Sequence, residues 1–249
     1  MSIPRTIFLA LLVLLASSIA AGDSVHDAPP KFSVVPVEQD SAWAIEWWRT
    51  RHDEKIELAK NAEVDLLFIG DSITHGWESA GAETWQEYYQ DKNAFNLGFS
   101  GDRTEHVLWR LENGAVAGME PRLAVLMIGT NNTGHRMDPA EYTAEGIAHI
   151  VKDLRKRLPS TRVLVLGIFP RHVSPYNHMR KRNDEINRLI SALDNGETVF
   201  YLDIAEAFLR EDGSLREDLM PDLLHFNAAG YKAWAAAMEP TIERLMQAK

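Results

Sequence analysis

The chain has 249 residues, 45% hydrophobic and 25% charged, enough to bury one α/β domain and short for two. Its formal net charge is −10 and no Lys/Arg run stands out, which argues against nucleic acid and anionic membrane surfaces as partners, because phosphate neutralisation supplies most nucleic-acid affinity. There is no cysteine, which excludes disulfides, thiolate nucleophiles and cysteine-ligated zinc.

Residues 1–20 read as a secretion signal. Arg5 supplies the positive charge, Ile7 to Ala16 is a short apolar run, and Ser18-Ile19-Ala20 fits a small-x-small cleavage site. The run is too short for a comfortable membrane span, so no stable membrane insertion is expected after cleavage. The protein is then expected to be secreted or periplasmic. An uncleaved N-terminal anchor is the alternative. Residues 21–40, with Pro29, Pro30 and Pro36, read as a linker or an arm lying on the domain. Residues 41–249 read as a single domain.

Trp43, Trp47 and Trp48 open a segment running to about Asn61. Its Ile45, Ile56, Leu58 and Ala59, set among charges, predict an amphipathic helix. The tryptophans read mainly as packing anchors, with stacking on sugar rings as the alternative. From Val64 onward, short apolar runs alternate with longer amphipathic stretches. Strands are predicted at Asp65–Ile69, Ala94–Leu97, Leu123–Ile128, Val163–Ile168 and Val199–Leu202. Helices are predicted around Trp85–Asp91, Thr104–Glu112, Ala140–Leu158, Arg180–Ala192 and Ala228–Gln247. Strict alternation implies α/β class, with a five-stranded parallel sheet covered by helices on both faces in three α/β/α layers.

In such a sheet ligands bind beyond the carboxyl ends of the strands. Those ends carry Gly70-Asp71-Ser72, Gly98-Phe99-Ser100-Gly101, Gly129-Thr130-Asn131-Asn132, Pro170-Arg171-His172 and, further on, Pro221-Asp222-Leu223-Leu224-His225. A serine hydroxyl needs a base to take its proton, histidine is the usual base, and a carboxylate on its second nitrogen fixes the tautomer. Ser72, Asp222 and His225 are therefore the expected catalytic triad. The Ser72 N–H, the Gly101 N–H and the Asn131 carboxamide are the expected oxyanion donors. Each alone has a blander reading: Ser72 as an N-cap, Gly101 as a turn glycine, Asn131 as a turn or cap residue. Trp77, Arg171, Leu223 and Leu224 are expected to border the substrate, with packing as the equal alternative for Trp77. His75 and His106 fall where they could lie near the rim, and are expected to have solvent or packing roles. The G-x-S-x-G elbow is absent, since Thr74 and Asp102 stand where the second glycine would be.

These blocks resemble the SGNH, or GDSL-type, hydrolase superfamily, from about residue 62 to the C-terminus. Within it the chain most resembles the catalytic α subunits of platelet-activating-factor acetylhydrolase, over Asn96 to Gly114, Gly129 to Asn132 and Leu166 to Arg171. The resemblance implies a flavodoxin-like, doubly wound sheet and metal-free, cofactor-free hydrolysis of short acyl esters through Ser72, Gly101 and Asn131. The chain departs from those subunits by its secretion signal, by Ser100 where they usually carry glycine, and by its Trp43–Trp48 segment. That segment also resembles secreted carbohydrate esterases. The substrate expected is a small-molecule or polysaccharide ester, with a lysophospholipase or lipase acting on longer chains as the alternative. A homodimer is allowed. Two rivals of other classes are a metal-dependent phosphoesterase, disfavoured by scattered histidines and no H-E-x-x-H, and a non-catalytic carbohydrate-binding protein on the same fold.

Overall fold

A computed structural model describes residues 32–247, so the signal segment lies outside the described residues. Five short strands pair in parallel: β1 (Leu66–Gly70), β2 (Ala94–Gly98), β3 (Leu123–Met127), β4 (Arg162–Leu166) and β5 (Val199–Leu202). Their order across the sheet is β2-β1-β3-β4-β5. The chain starts in the middle, adds β2 on one side, then crosses to β3 on the other. The carboxyl ends of β1 and β3 therefore diverge at the topological switch point, where such sheets open a crevice.

The strands read as unbroken apolar runs because both faces are covered. Alternate side chains point to opposite faces. Leu67 and Ile69 join Leu97, Leu126 and Val165 in one core, under α1 (Ile45–Ala59), α4 (Thr104–Glu112), α5 (Ala140–Arg157) and α6 (His178–Ile190). Leu66 and Phe68 join Val125, Met127 and Leu164 in the other. Over that second core lie α2 (Ser72–His75), α3 (Ala82–Tyr88) and α7 (Ala228–Gln247). The three-layer α/β/α arrangement follows. The α4, α7 and β5 bounds coincide with those predicted; the other boundaries shift by at most about three residues, near the usual uncertainty at fraying ends. Among the described residues, no helix is long and apolar enough to cross a membrane.

Gly70 shows why the switch point can be narrow. A Cβ there would lie 2.4 Å from the Met127 carbonyl oxygen on β3 and 2.1 Å from Thr74 Oγ1. Only glycine lets β1 end hard against β3 and α2. The first residue of α2, Ser72, is thereby set directly beside the end of β3.

Candidate active site

Asp71 caps α2 by accepting the Ile73 N–H at 3.0 Å, so Ser72 starts the helix with its own N–H outside the intrahelical ladder. Ser72 Oγ lies 2.9 Å from His225 Nε2. His225 Nδ1 donates to Asp222 Oδ2 at 2.7 Å. The other carboxylate oxygen accepts the His225 N–H at 2.6 Å and the Leu224 N–H at 3.0 Å. The three-residue spacing thus folds into a tight turn in which the carboxylate takes three hydrogen bonds, one from the imidazole and two from backbone N–H groups. Leu223 stands in that turn with φ +65°, and its carbonyl accepts the His172 N–H at 3.0 Å. Burial works to raise the Asp222 carboxyl, but the His225 and Leu224 donors outweigh it and hold it below the usual carboxylate range.

The other expected donors sit nearby in a strongly braced loop. Gly101 has φ +80°, and the Asp102 N–H, not its own, closes the turn onto the Phe99 carbonyl at 3.1 Å. Asn131 Nδ2 donates to the Asp102 carbonyl at 2.9 Å. That amide nitrogen carries two hydrogens, so one remains to donate. Asp102 itself is fully buried. Its carboxylate accepts from Trp48 Nε1 at 2.6 Å and from Arg110 Nε at 2.8 Å. Burial nevertheless pushes its pKa up to about 6, against the opposing pull of Arg110 and the Trp48 hydrogen bond. The arm contributes too: Gln39 Nε2 donates to the Gly101 carbonyl at 3.2 Å and lies 3.2 Å from His106 Nδ1. Asn132 both donates, to Thr104 Oγ1 and Asp138 Oδ2 at 3.1 Å, and accepts the Thr104 N–H at 3.1 Å. An ionised aspartate could not do both, which accounts for an asparagine at this position.

A cleft of about 290 Å³ opens from Ser72 and His225, walled by His75, Ser100, Phe226 and Tyr231. Not every residue expected at the substrate borders it. Trp77 is 1% exposed and packs on Tyr231 and Trp234 with ring centroids 4.6 and 4.8 Å away, in the core below α7. It is a packing residue, because the turn after α2 swings it inward. Leu223 and Leu224 are half-buried against the same core and do not line this cleft. Arg171 is fixed elsewhere, with Nη1 donating to the Thr130 carbonyl at 3.0 Å and its charge acting on the buried Asp71. His75, which the sequence allows near the rim but reads mainly as a solvent or packing residue, lines the cleft, with Nδ1 3.0 Å from Ser100 Oγ. Its signal was present: it follows Ser72 by one helical turn and so shares its face. Burial, then the Arg51 charge, hold its pKa down to about 4, so it is neutral at ordinary pH. Asp71 is fully buried, and burial pushes its carboxyl up to about 7.

A doubly wound parallel sheet that brings a hydrogen-bonded Ser–His–Asp chain to its switch point is an arrangement that serine hydrolases share. Similarity to known proteins narrows that class. The profile of the GDSL-like lipase/acylhydrolase family matches residues 68–233, and the chain belongs to that family. It is an ester hydrolase. It is 36% identical to human (Homo sapiens) platelet-activating factor acetylhydrolase IB subunit alpha1 over 200 residues, spanning 80% of this chain and 84% of that protein. The alpha2 subunit of Rattus norvegicus is 34% identical over 216 residues, spanning 86% of this chain and 90% of that protein. Among solved structures, a putative platelet activating factor from Streptococcus pneumoniae superposes with TM-score 0.68 at 22% identity, covering 80% of this chain and 94% of that one. The Geobacillus stearothermophilus acetylxylan esterase Axe2 shares the fold with TM-score 0.59 at 20% identity, covering 76% of this chain and 96% of that one.

Proposed function

We propose that this chain is an exported serine esterase that cleaves short-chain, chiefly acetyl, esters of a carbohydrate or another small alcohol. The observation that carries the reading is the unbroken chain from Ser72 Oγ through His225, at 2.9 Å, to Asp222, at 2.7 Å. Ser72 is the nucleophile, His225 the base and Asp222 the carboxylate that fixes the imidazole. As Oγ bonds to the acyl carbon, its proton passes to His225 Nε2 and the carbonyl electron pair moves onto oxygen. The N–H groups of Ser72 and Gly101 and the Asn131 amide receive that oxyanion. Collapse breaks the ester C–O bond, and Nε2 returns its proton to the leaving alcohol. Water then repeats the sequence on the acyl-serine, releasing the acid and restoring Ser72. The family membership and the acetylhydrolase relatives support the ester and the short acyl group.

The test is turnover of p-nitrophenyl acetate by wild type and Ser72→Ala, with and without prolonged EDTA treatment. The variant should fold normally and lose roughly three orders of magnitude or more in activity, and chelation should change nothing. Near-wild-type turnover by the variant refutes the assignment. Loss on chelation, restored by a divalent ion, points to a metal-dependent phosphoesterase instead.

A further inference from the structure

The wall of the cleft continues outward as an aromatic surface. Gly101 presses against the Trp43 indole so closely that a Cβ there would lie 2.2 Å from Trp43 Cη2. Trp43 and Trp47 have ring centroids 6.0 Å apart, and Trp47 lies 5.9 Å from the His75 ring that lines the cleft. His75 in turn meets Ser100, the residue before Gly101. One surface therefore runs from the Ser72 cleft through His75 and Trp47 to Trp43. Trp43 is 55% exposed, whereas Trp48, five residues on, is 1% exposed. Trp47 is half-buried against the core, and both rings are held in place. Trp47 Nε1 donates to the Trp43 carbonyl at 3.2 Å, and Trp48 fastens the start of α1 to Asp102. An exposed tryptophan that is fixed loses little further conformational freedom when it binds a ligand.

Ser100, His75 and Glu78 superficially repeat a triad, with His75 Nε2 3.9 Å from Glu78 Oε2. They cannot act as one. Glu78 already accepts from Arg51, at 2.8 and 2.9 Å, and from Lys55 at 2.8 Å. Burial and Arg51 make His75 a weak base. What remains is a neutral donor–acceptor pair suited to hydroxyl groups. Charge narrows the occupant further. The acids beside the cleft, Glu78 and Asp222, are both engaged, and Arg51 and Lys55 stand behind His75. A quaternary ammonium headgroup would find aromatic faces there, but Glu78 and Asp222 are already engaged by their own partners.

We infer that Trp43 and Trp47, with the Ser100–His75 pair, form a subsite for a neutral pyranose ring that carries the scissile ester. The apolar C–H face of the sugar stacks on the indoles and its hydroxyls reach Ser100 and His75. This rests on the esterase reading above and names its substrate class.

The experiment compares kcat/KM for acetylated xylo-oligosaccharides, an acetyl phospholipid with a choline headgroup, and p-nitrophenyl acetate, in the full chain. Trp43→Ala and Trp47→Ala should each lower the ratio of sugar ester to p-nitrophenyl ester about tenfold, mainly through KM, as expected for one stacked ring face. Trp43→Phe, which keeps a ring, should recover most of that ratio. Independently of turnover, deacetylated xylo-oligosaccharide should quench tryptophan fluorescence in Ser72→Ala, and the quench should weaken at least tenfold in Ser72→Ala/Trp43→Ala. An unchanged ratio in both alanine variants, or absent quenching, overturns the subsite. So does a phospholipid ratio that falls as far as the sugar ratio, which would make the tryptophans a cage for the headgroup. Failure of the wild type to cleave p-nitrophenyl acetate would refute the esterase reading instead, while the quench still reports on sugar binding.

Discussion

The buried pair Asp102–Arg110 yields the sharpest prediction, because its two halves cannot be lost symmetrically. Both side chains are at most 1% exposed, and the Asp102 main chain positions Asn131. Removing the acid with Asp102→Asn strands a guanidinium that has no accessible neutral form, and breaking a buried pair in this way costs about 3–5 kcal/mol. Removing the base with Arg110→Met strands a carboxyl that can simply take a proton. In the wild type the Asp102 pKa is already about 6, so near that pH the proton costs little extra. At pH 7 the added cost is about 1.4 kcal/mol for the one further pH unit, and at pH 5, where wild-type Asp102 is itself mostly protonated, it shrinks towards zero.

Thermal denaturation of both variants at pH 5 and pH 7 checks this. Asp102→Asn should be the more damaged at pH 7, losing roughly 6–20 °C in Tm for a chain of this size, and its penalty too should shrink at pH 5, where the wild-type acid is already mostly neutral. Arg110→Met should lose a few degrees at pH 7 and less at pH 5. The double variant should regain most of the loss, since uncharged groups of similar volume tolerate this setting. A larger penalty for Arg110→Met than for Asp102→Asn at pH 7, or a penalty that grows on acidification for either, would refute the reasoning.

Three further outcomes follow from the same site. Asn131→Ala should lower kcat about 10²–10³-fold with little change in KM, as for a donor used mainly in the transition state; a KM effect alone would make it a ground-state contact. Asp71, held at about 7 by burial, binds a proton more tightly folded than unfolded, so its contribution to stability falls as pH rises from about 4 to 7. Asp71→Asn should cancel that fall, gaining on the wild type by up to roughly 4 kcal/mol between pH 4 and 8, and parallel stability–pH curves for the two proteins would contradict it. On p-nitrophenyl esters, kcat/KM should peak at acetate or propionate and fall by butyrate to hexanoate, since each further methylene offers only ~1 kcal/mol even where it fits; a maximum at octanoate would mark a lysophospholipase or lipase.

The sheet was legible because its strands, buried on both faces, are short apolar runs separated by amphipathic helices, and both signals are local. The chain of Ser72, His225 and Asp222 was nearly as legible, since the D-x-x-H turn is local and strand ends of a parallel sheet converge on one rim. The bracing of the glycine loop was not. Gln39 reaches Gly101 across 62 residues and Trp48 reaches Asp102 across 54, and no periodicity encodes either contact. Nearness along the chain also misled. Trp77 lies five residues from Ser72 yet points into the core, whereas His75, three residues away on the same helical face, stands in the cleft.

The three tryptophans of the N-terminal segment show where such reading stops. Composition offers packing for all of them, since an indole buried is worth more than an indole exposed. Their places relative to α1 separate them. Trp43 precedes the helix, so its direction is set by the turn that brings the arm onto Gly101. Trp47 and Trp48 are adjacent and therefore about 100° apart around the helix axis. Only one of the two can face the sheet. Trp48 takes that position because a buried carboxylate, Asp102, waits there for an N–H donor. Trp47 is left on the flank beside His75. Packing of α1 through Trp48 is thus what presents Trp47 and Trp43 at the cleft, so the core contact and the exposed aromatic surface arise from one helix placement.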